Sequence, residues 1–149
     1  MGASPDRSSL ARRKHRPVPS ARVWVTRIIE APAAHAWRVL VDTTTWPKWG
    51  PSVVEVQHDG RFLGPGSRGR IRTVVGPWLN FEITRFEEGR IWSWSVAGVQ
   101  ATSHSVESLG ARRCRVGFEV PLLAAPYAVV CGLALQRIDR LARMWPDRA

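Results

Sequence analysis

Hydrophobic and polar positions follow two rhythms along this chain. Near the end the step is three or four. Leu123, Tyr127, Val130, Ala134, Ile138, Leu141 and Trp145 recur on one face of an α-helix over residues 121–145. Pro121 suits a first helical turn, where its missing N–H has no partner to lose. Arg137, Asp139, Arg140 and Arg143 fill the far side of the C-terminal half, and arginines there also suit the helix dipole. The first half, residues 122–135, is apolar nearly all round, which predicts a helix covered on most sides. The charge-free run at residues 121–135 falls short of the ~20 residues a membrane span needs. It also holds Pro121 and Pro126, so we read it as a core helix with no membrane span.

Upstream the step changes. Residues 22–29 are dense in β-branched side chains and read as a strand. Ala31-Pro32 then opens a helix at residues 32–41, with Ala33, Trp37, Leu40 and Val41 as its apolar stripe. Asp42 can cap a second, short helix through Thr45, before Pro47 stops it. From there the period is two. Short β-rich segments lie at residues 53–58, 68–75, 78–86, 90–96, 102–109 and 112–120, with turn signals at residues 60–66, Gly76-Pro77, Glu88-Gly89, Gly98 and Gly110-Ala111 between them. Tight links favour antiparallel neighbours. One strand, two short helices, six strands and one long helix describe an α+β domain in which a sheet grips the last helix.

Composition fits one domain at residues 22–146 preceded by a basic tail. The chain has 149 residues, 44% of them hydrophobic, enough for a real core. Residues 1–21 are rich in Ser, Pro and Arg and show no periodicity, which predicts disorder. Arg7, Arg12, Arg13, Lys14, Arg16 and Arg22 against Asp6 place about half of the net +10 charge in residues 1–22. That segment lacks the apolar core of a signal peptide. Cys114 and Cys131 are too few for a disulfide scaffold; they read as buried free thiols in a cytoplasmic protein. Eight tryptophans stand against one tyrosine and four phenylalanines. They either line a cavity or fill core.

Several short motifs occur in a telling order. Ile29-Glu30-Ala31-Pro32 precedes Trp37; Asp42 precedes Trp46-Pro47-Lys48-Trp49-Gly50-Pro51. Gly64-Pro65-Gly66-Ser67 and Phe86-Glu87-Glu88-Gly89-Arg90 follow, and then the long last helix. Over about residues 22–145 this order resembles the START-like or SRPBCC superfamily, most closely the polyketide cyclase/dehydrase branch of small bacterial proteins. The resemblance implies a helix-grip fold, a curved antiparallel sheet around the C-terminal helix with a hydrophobic cavity between them. It also implies binding or transformation of lipids, polyketides, sterols or other apolar molecules. The motifs are specific for the fold and not for a reaction.

Candidate chemistry is sparse. His104 lies mid-strand on the face of Thr102 and Val106, and a neutral imidazole facing a cavity is a candidate acid or base near pH 7. Glu82 is the second catalytic candidate, and its role depends on strand register. If Phe81 and Ile83 face inward, which buries more apolar surface, Glu82 faces water. If Trp78, Asn80, Glu82, Thr84 and Phe86 face inward, it becomes a buried carboxylate. Trp92, Trp94 and Val96 share a strand face, so the two indoles either stack on a planar ligand or pack under the long helix. Tyr127, Val130, Thr102 and Val106 complete the expected ligand wall, with the Tyr127 hydroxyl able to orient a ligand.

Other signals fail. Gly64-Pro65-Gly66-Ser67 lacks the Gly-Lys-Ser/Thr of a phosphate loop. His15, His35, His58 and His104 show no metal-ligand spacing, so neither a metal nor any cofactor is expected. No Gly-x-Ser-x-Gly elbow occurs. Arg68, Arg70 and Arg72 share one face, expected to be solvated. The tail lacks interleaved aromatics, so only salt-sensitive, nonspecific nucleic-acid contact is expected of it. The leading function is therefore binding of an apolar small molecule, by a monomer or homodimer. The alternative is a polyketide cyclase, aromatase or dehydratase using the same cavity.

Overall fold

The computed structural model describes residues 21–146; the predicted basic tail lies, but for Ala21, outside them. Strand β1 (Arg22–Ile29) leads to helix α1 (Ala33–Val41), a 3-10 turn (Thr43–Thr45) and the short helix α2 (Trp46–Trp49). Strands β2 (Val53–His58), β3 (Arg68–Thr73), β4 (Trp78–Glu87), β5 (Ile91–Val96), β6 (Val99–Gly110) and β7 (Arg113–Pro121) follow. A 3-10 segment (Leu122–Tyr127) then precedes helix α3 (Ala128–Arg143). The strands form one antiparallel sheet in the order β1-β7-β6-β5-β4-β3-β2. Consecutive hairpins build six strands, and the first strand closes beside the last. This is the α+β helix-grip fold: α3 packs on β1 and β7, with α1 and α2 against its flank.

Irregular pairs bend the sheet, and one decides which residues face inward. In β4, Phe81 and Ile83 are buried. The β4–β5 register then shifts between Ile83 and Arg85. An extra residue in one strand reverses the facing of all that follow. Phe86 therefore returns to the inner face and meets Trp37 edge-on at 5.7 Å. In the β5–β6 hairpin Ala97 and Gly98 both have positive φ, the mark of a two-residue type I′ turn. That tight turn is why β6 begins at Val99 rather than at residue 102.

The last helix is not continuous over residues 121–145. Pro126 offers no N–H to the Leu122 carbonyl and its ring crowds that carbonyl. The backbone leaves helical geometry at Ala124 (φ −100°, ψ 19°), and the regular α-helix starts only at Ala128. Ala134 and Ile138 are buried as the stripe predicts, joined by Cys131, Leu135 and Ala142. The Leu123 side chain lies outside the described residues. Covering on most sides is not found: Val129 and Leu133 are exposed. Asp139 is also not on the far side. It is buried between α3 and β1, accepting from Arg27 Nε at 2.8 Å and Arg143 Nε at 2.9 Å.

Two local readings divide. Asp42 does cap the turn after α1, accepting from the Thr44 N–H at 3.0 Å and the Thr44 hydroxyl at 2.6 Å. Burial raises the Asp42 pKa, but hydrogen bonds from Arg61 and Thr44 outweigh it and hold the carboxyl below its usual range. Pro47, however, does not end helical backbone; it sits in the first turn of α2, where proline is tolerated. On the outer face of the sheet Arg68 pairs with Glu82 at 3.1 Å and Arg72 with Glu55 at 3.3 Å. Arg70 donates to Gln57 at 2.6 Å and lies over the Trp78 ring. Arg68 and Arg72 are thus paired with carboxylates of the sheet, while Arg70 keeps its charge among neutral partners. Among the described residues no helix is long and apolar enough to cross a membrane.

Candidate functional site: an aromatic-walled cavity

A cavity of about 400 Å³ lies between the sheet and the start of α3, roofed by α2. Its floor comes from the neighbouring strands β5 and β6, where Trp92 and Trp94 of one and Thr102 and His104 of the other project from the same face of the sheet. Phe118 of β7 closes one side; Val130, Cys131 and Ala134 of α3 close another. Among the described residues no Asp, Glu, Lys or Arg lines it.

The wall is stacked aromatic rings. Trp46 and Trp49 are three apart on α2, hence on one side of that helix. Their indole N–H groups are satisfied outside the cavity, Trp46 by the Leu40 carbonyl at 3.0 Å and Trp49 by the Thr45 hydroxyl at 3.2 Å. Trp46 lies nearly parallel to Trp92, with ring centres 5.5 Å apart and planes 10° apart. His104 is the cross-strand neighbour of Trp92 and stacks on it at 3.8 Å. Phe118 meets His104 edge-on at 4.7 Å. Such contacts add to simple burial, each by about 0.5–1.5 kcal/mol.

A short polar line crosses this apolar wall. Trp94 Nε1 donates to the Thr102 hydroxyl at 3.0 Å, and that hydroxyl lies 3.1 Å from His104 Nε2. The line stops there. Trp92 Nε1 and His104 Nδ1 are both buried and neither makes a well-aligned hydrogen bond, although the Trp92 backbone lies close enough to the imidazole to favour its charged form. Burial pushes His104 from 6.5 down to about 3, opposed only in part by the Trp92 backbone. Its imidazole is therefore neutral at pH 7. Cys131, also at the wall, is held as a thiol, with its pKa pushed up to about 11 by burial. A thiol so held is a poor nucleophile. At the rim the Tyr127 and Ser52 hydroxyls lie 2.9 Å apart, joining the loop after α2 to the segment before α3.

The cavity brings together His104, Thr102, Trp92, Trp94, Tyr127 and Val130 of the residues singled out from the sequence. It does not include Glu82. That carboxylate lies on the outer face, bonded to Arg68, so the inward-facing reading of Glu82 and its place in an acid–base set are withdrawn. The reason is apolar burial: Phe81 and Ile83 take the inner face. Val106 is likewise not a wall residue; it is buried in the packed core. Sequence reasoning missed Trp46, Trp49 and Phe118. The step of three between Trp46 and Trp49 was the available signal, hidden by the intervening Pro47. Among the described residues no three His, Cys, Asp or Glu side chains gather as a metal-binding group.

Known proteins agree on the fold. Residues 20–139 match the model of a family described as polyketide cyclase/dehydrase and lipid transport. No curated protein matches the chain. Among solved structures, a protein of Nitrosomonas europaea superposes with TM-score 0.65 at 13% identity, covering 85% of this chain and 96% of that one. A protein of Mesorhizobium loti gives 0.65 at 13% identity, covering 85% and 99%. The ZhuI aromatase/cyclase of a Streptomyces species gives 0.64 at 17% identity, covering 83% and 93%. At these identities the structures speak for the shared fold, while the family match spans most of the chain. This chain belongs to the polyketide cyclase/dehydrase and lipid-transport family.

Proposed function

We propose that the protein binds an apolar, lipid- or polyketide-like small molecule in the cavity between the sheet and α3. One observation carries this reading: a space of about 400 Å³ is walled chiefly by indole, phenyl and aliphatic groups, with no charged side chain among the described residues. Water in such a space finds few partners, so an apolar occupant displaces it favourably. The volume falls within the range of about 300–1,000 Å³ usual for small-molecule sites. Membership of a family that includes lipid transport supports it. The two buried free thiols suit a reducing, cytoplasmic setting. Native mass spectrometry of the purified protein, followed by a lipid and polyketide panel read through tryptophan fluorescence, tests it. A one-to-one adduct with altered indole emission is expected. No occupant and no response across the panel would sink the reading.

A second reading, a cyclase, aromatase or dehydratase, uses the same cavity. It is favoured by the position of a titratable His104 at the wall and by the aromatase/cyclase among the similar folds. Here the cavity would fold a reactive chain and exclude water. A histidine with a pKa of about 3 is a weak base at pH 7, so His104 would act chiefly by hydrogen bonding to the substrate. Undiminished turnover of a polyketide-like substrate by His104→Ala would remove His104 from the chemistry.

A further inference from the structure

The cavity opens at one end of the sheet, and the loops there are apolar. Of the described lining residues, Val99, Gln100 and Tyr127 are the exposed ones, and they lie where β6 begins and where the chain runs from β7 to α3. Beside them stands the β3–β4 hairpin, whose Val74 N–H donates to the Ser52 carbonyl of the rim at 3.2 Å. Hairpin tips usually carry Gly, Asn, Asp or Ser. This one carries Val74 and Val75, and Val75 is 82% exposed. Val129, in the first turn of α3, is exposed as well. Apolar side chains scattered singly over a surface need no explanation, but four valines around one opening mark an interaction surface.

Charge is distributed to match. The loops at this end, residues 50–52, 74–77, 97–98 and 122–127, hold no Asp or Glu, whereas Glu30, Asp59 and Glu88 lie in loops at the opposite end. Arg22 stands opposite Pro121, so residues 1–20 also join the domain at the open end. They carry Arg7, Arg12, Arg13, Lys14 and Arg16 against Asp6. Shallow apolar insertion alone holds a protein to a bilayer weakly, and basic residues near anionic headgroups supply a second attraction. Both features sit at one end of this molecule. A second copy of the chain suits the valines less well, because it would bring together two chains of net charge +10 with their basic segments side by side.

We infer that this end docks on an anionic lipid bilayer, with Val74, Val75, Val99 and Val129 entering the headgroup boundary and the basic N-terminal segment drawn to the anionic lipids. The protein then lies on the bilayer without spanning it, and the mouth of the cavity faces the membrane. The inference goes beyond the reading of the cavity as a ligand site and stands on exposed groups, so it is tested without any ligand.

Flotation of the full-length protein with vesicles of phosphatidylcholine, alone or mixed with phosphatidylglycerol, provides the test. The wild type is compared with Val75→Glu, Leu109→Glu and the triple substitution Arg12→Ser, Arg13→Ser, Lys14→Ser. Val75 and Leu109 are exposed at opposite ends of the sheet, so the two Glu variants lose the same net charge and differ only in place. The wild type is expected to bind the mixed vesicles and to be released as salt rises. Partition should fall at least about 10-fold in Val75→Glu and in the triple variant, and no more than about 2-fold in Leu109→Glu. Val99→Glu, on a different hairpin, should repeat the Val75→Glu loss and decides should that variant fail to fold. No binding, equal binding to both vesicle types, or equal losses in Val75→Glu and Leu109→Glu overturns the inference and leaves the ligand panel free to decide on the cavity. Light scattering without vesicles reads the rival occupant: a dimer that Val75→Glu turns into a monomer would assign this face to a second copy and overturn docking on lipid.

Discussion

The two ends of α3 are built for opposite purposes. At its C-terminal end Ile138 and Ala142 are completely buried, and Asp139 is clamped by Arg27 from β1 and Arg143 from the next turn. At its N-terminal end Val130, Cys131 and Ala134 face a cavity, and Val129 points to solvent at 79% exposure. One helix thus seals the sheet at one end and stands off it at the other. Pro126 contributes, because it prevents the helix from running back to Pro121, so the segment before α3 bends over the cavity rim instead. The stacked rings of Trp46 and Trp92 contribute from the other side by holding α2 off the floor. Stability is concentrated where the helix is sealed, and binding capacity where it is not.

The largest expected effect tests the sealed end. Ile138→Ala deletes a fully buried side chain where the neighbours cannot collapse inward, so it should cost about 3–4 kcal/mol of unfolding free energy. Urea denaturation measures it. Ligand affinity of the folded variant should be unchanged, since Ile138 does not line the cavity. A loss below about 1 kcal/mol would mean that this end is not sealed.

Acid should act through the open end. The His104 pKa is about 3 in the folded chain and near its ordinary 6.5 when unfolded. Between those values the unfolded chain binds a proton that the folded chain does not. Stability should therefore be complete above about pH 6.5 and decline as the pH falls through that window, by about 2 kcal/mol between pH 7 and pH 5. The Asp42 carboxyl, held below its ordinary 3.8, begins to contribute only as the pH falls towards that value, below the range from pH 7 to pH 5. In His104→Phe the decline should largely disappear. Equal pH dependence in both proteins would show that His104 is more solvated than its place at the wall implies.

The same contrast explains what could be read in the sequence. The sheet was legible because each strand carries a period of two and each hairpin a glycine-bearing turn, so element order followed directly. The cavity wall was half legible. Trp92, Trp94, Thr102 and His104 follow from alternation on neighbouring strands, which needs no knowledge of distant parts. Phe86 was not legible, because a register shift between Ile83 and Arg85 reverses the pleat and leaves no residue-type signal. The burial of Asp139 was not legible either. Its main partner, Arg27, lies on the first strand, and helical periodicity treats a charged residue as exposed unless that partner is known. The break before α3 had a visible cause in Pro126, but an apolar stripe runs through it, and periodicity alone cannot distinguish a helix from two helical pieces in line.

The smallest effect should be the most informative, because it sets one substitution against itself. Ala134 and Ala142 both face inward from α3, two turns apart, at 2% and 0% exposure. Helix propensity treats Ala→Leu alike at both positions, so any difference reports the space in front of each. At Ala142 the added atoms enter packed core, and Ala142→Leu should cost about 1–2 kcal/mol. At Ala134 they enter the cavity, where they displace water and gain apolar contacts, so Ala134→Leu should leave stability within about 0.5 kcal/mol of the wild type or raise it slightly. The binding data should run the other way, with ligand affinity kept in Ala142→Leu and reduced in Ala134→Leu, as a side chain occupies the ligand's place. Equal stability losses at both positions would mean that α3 is packed along its whole length, and the contrast between its ends would fail.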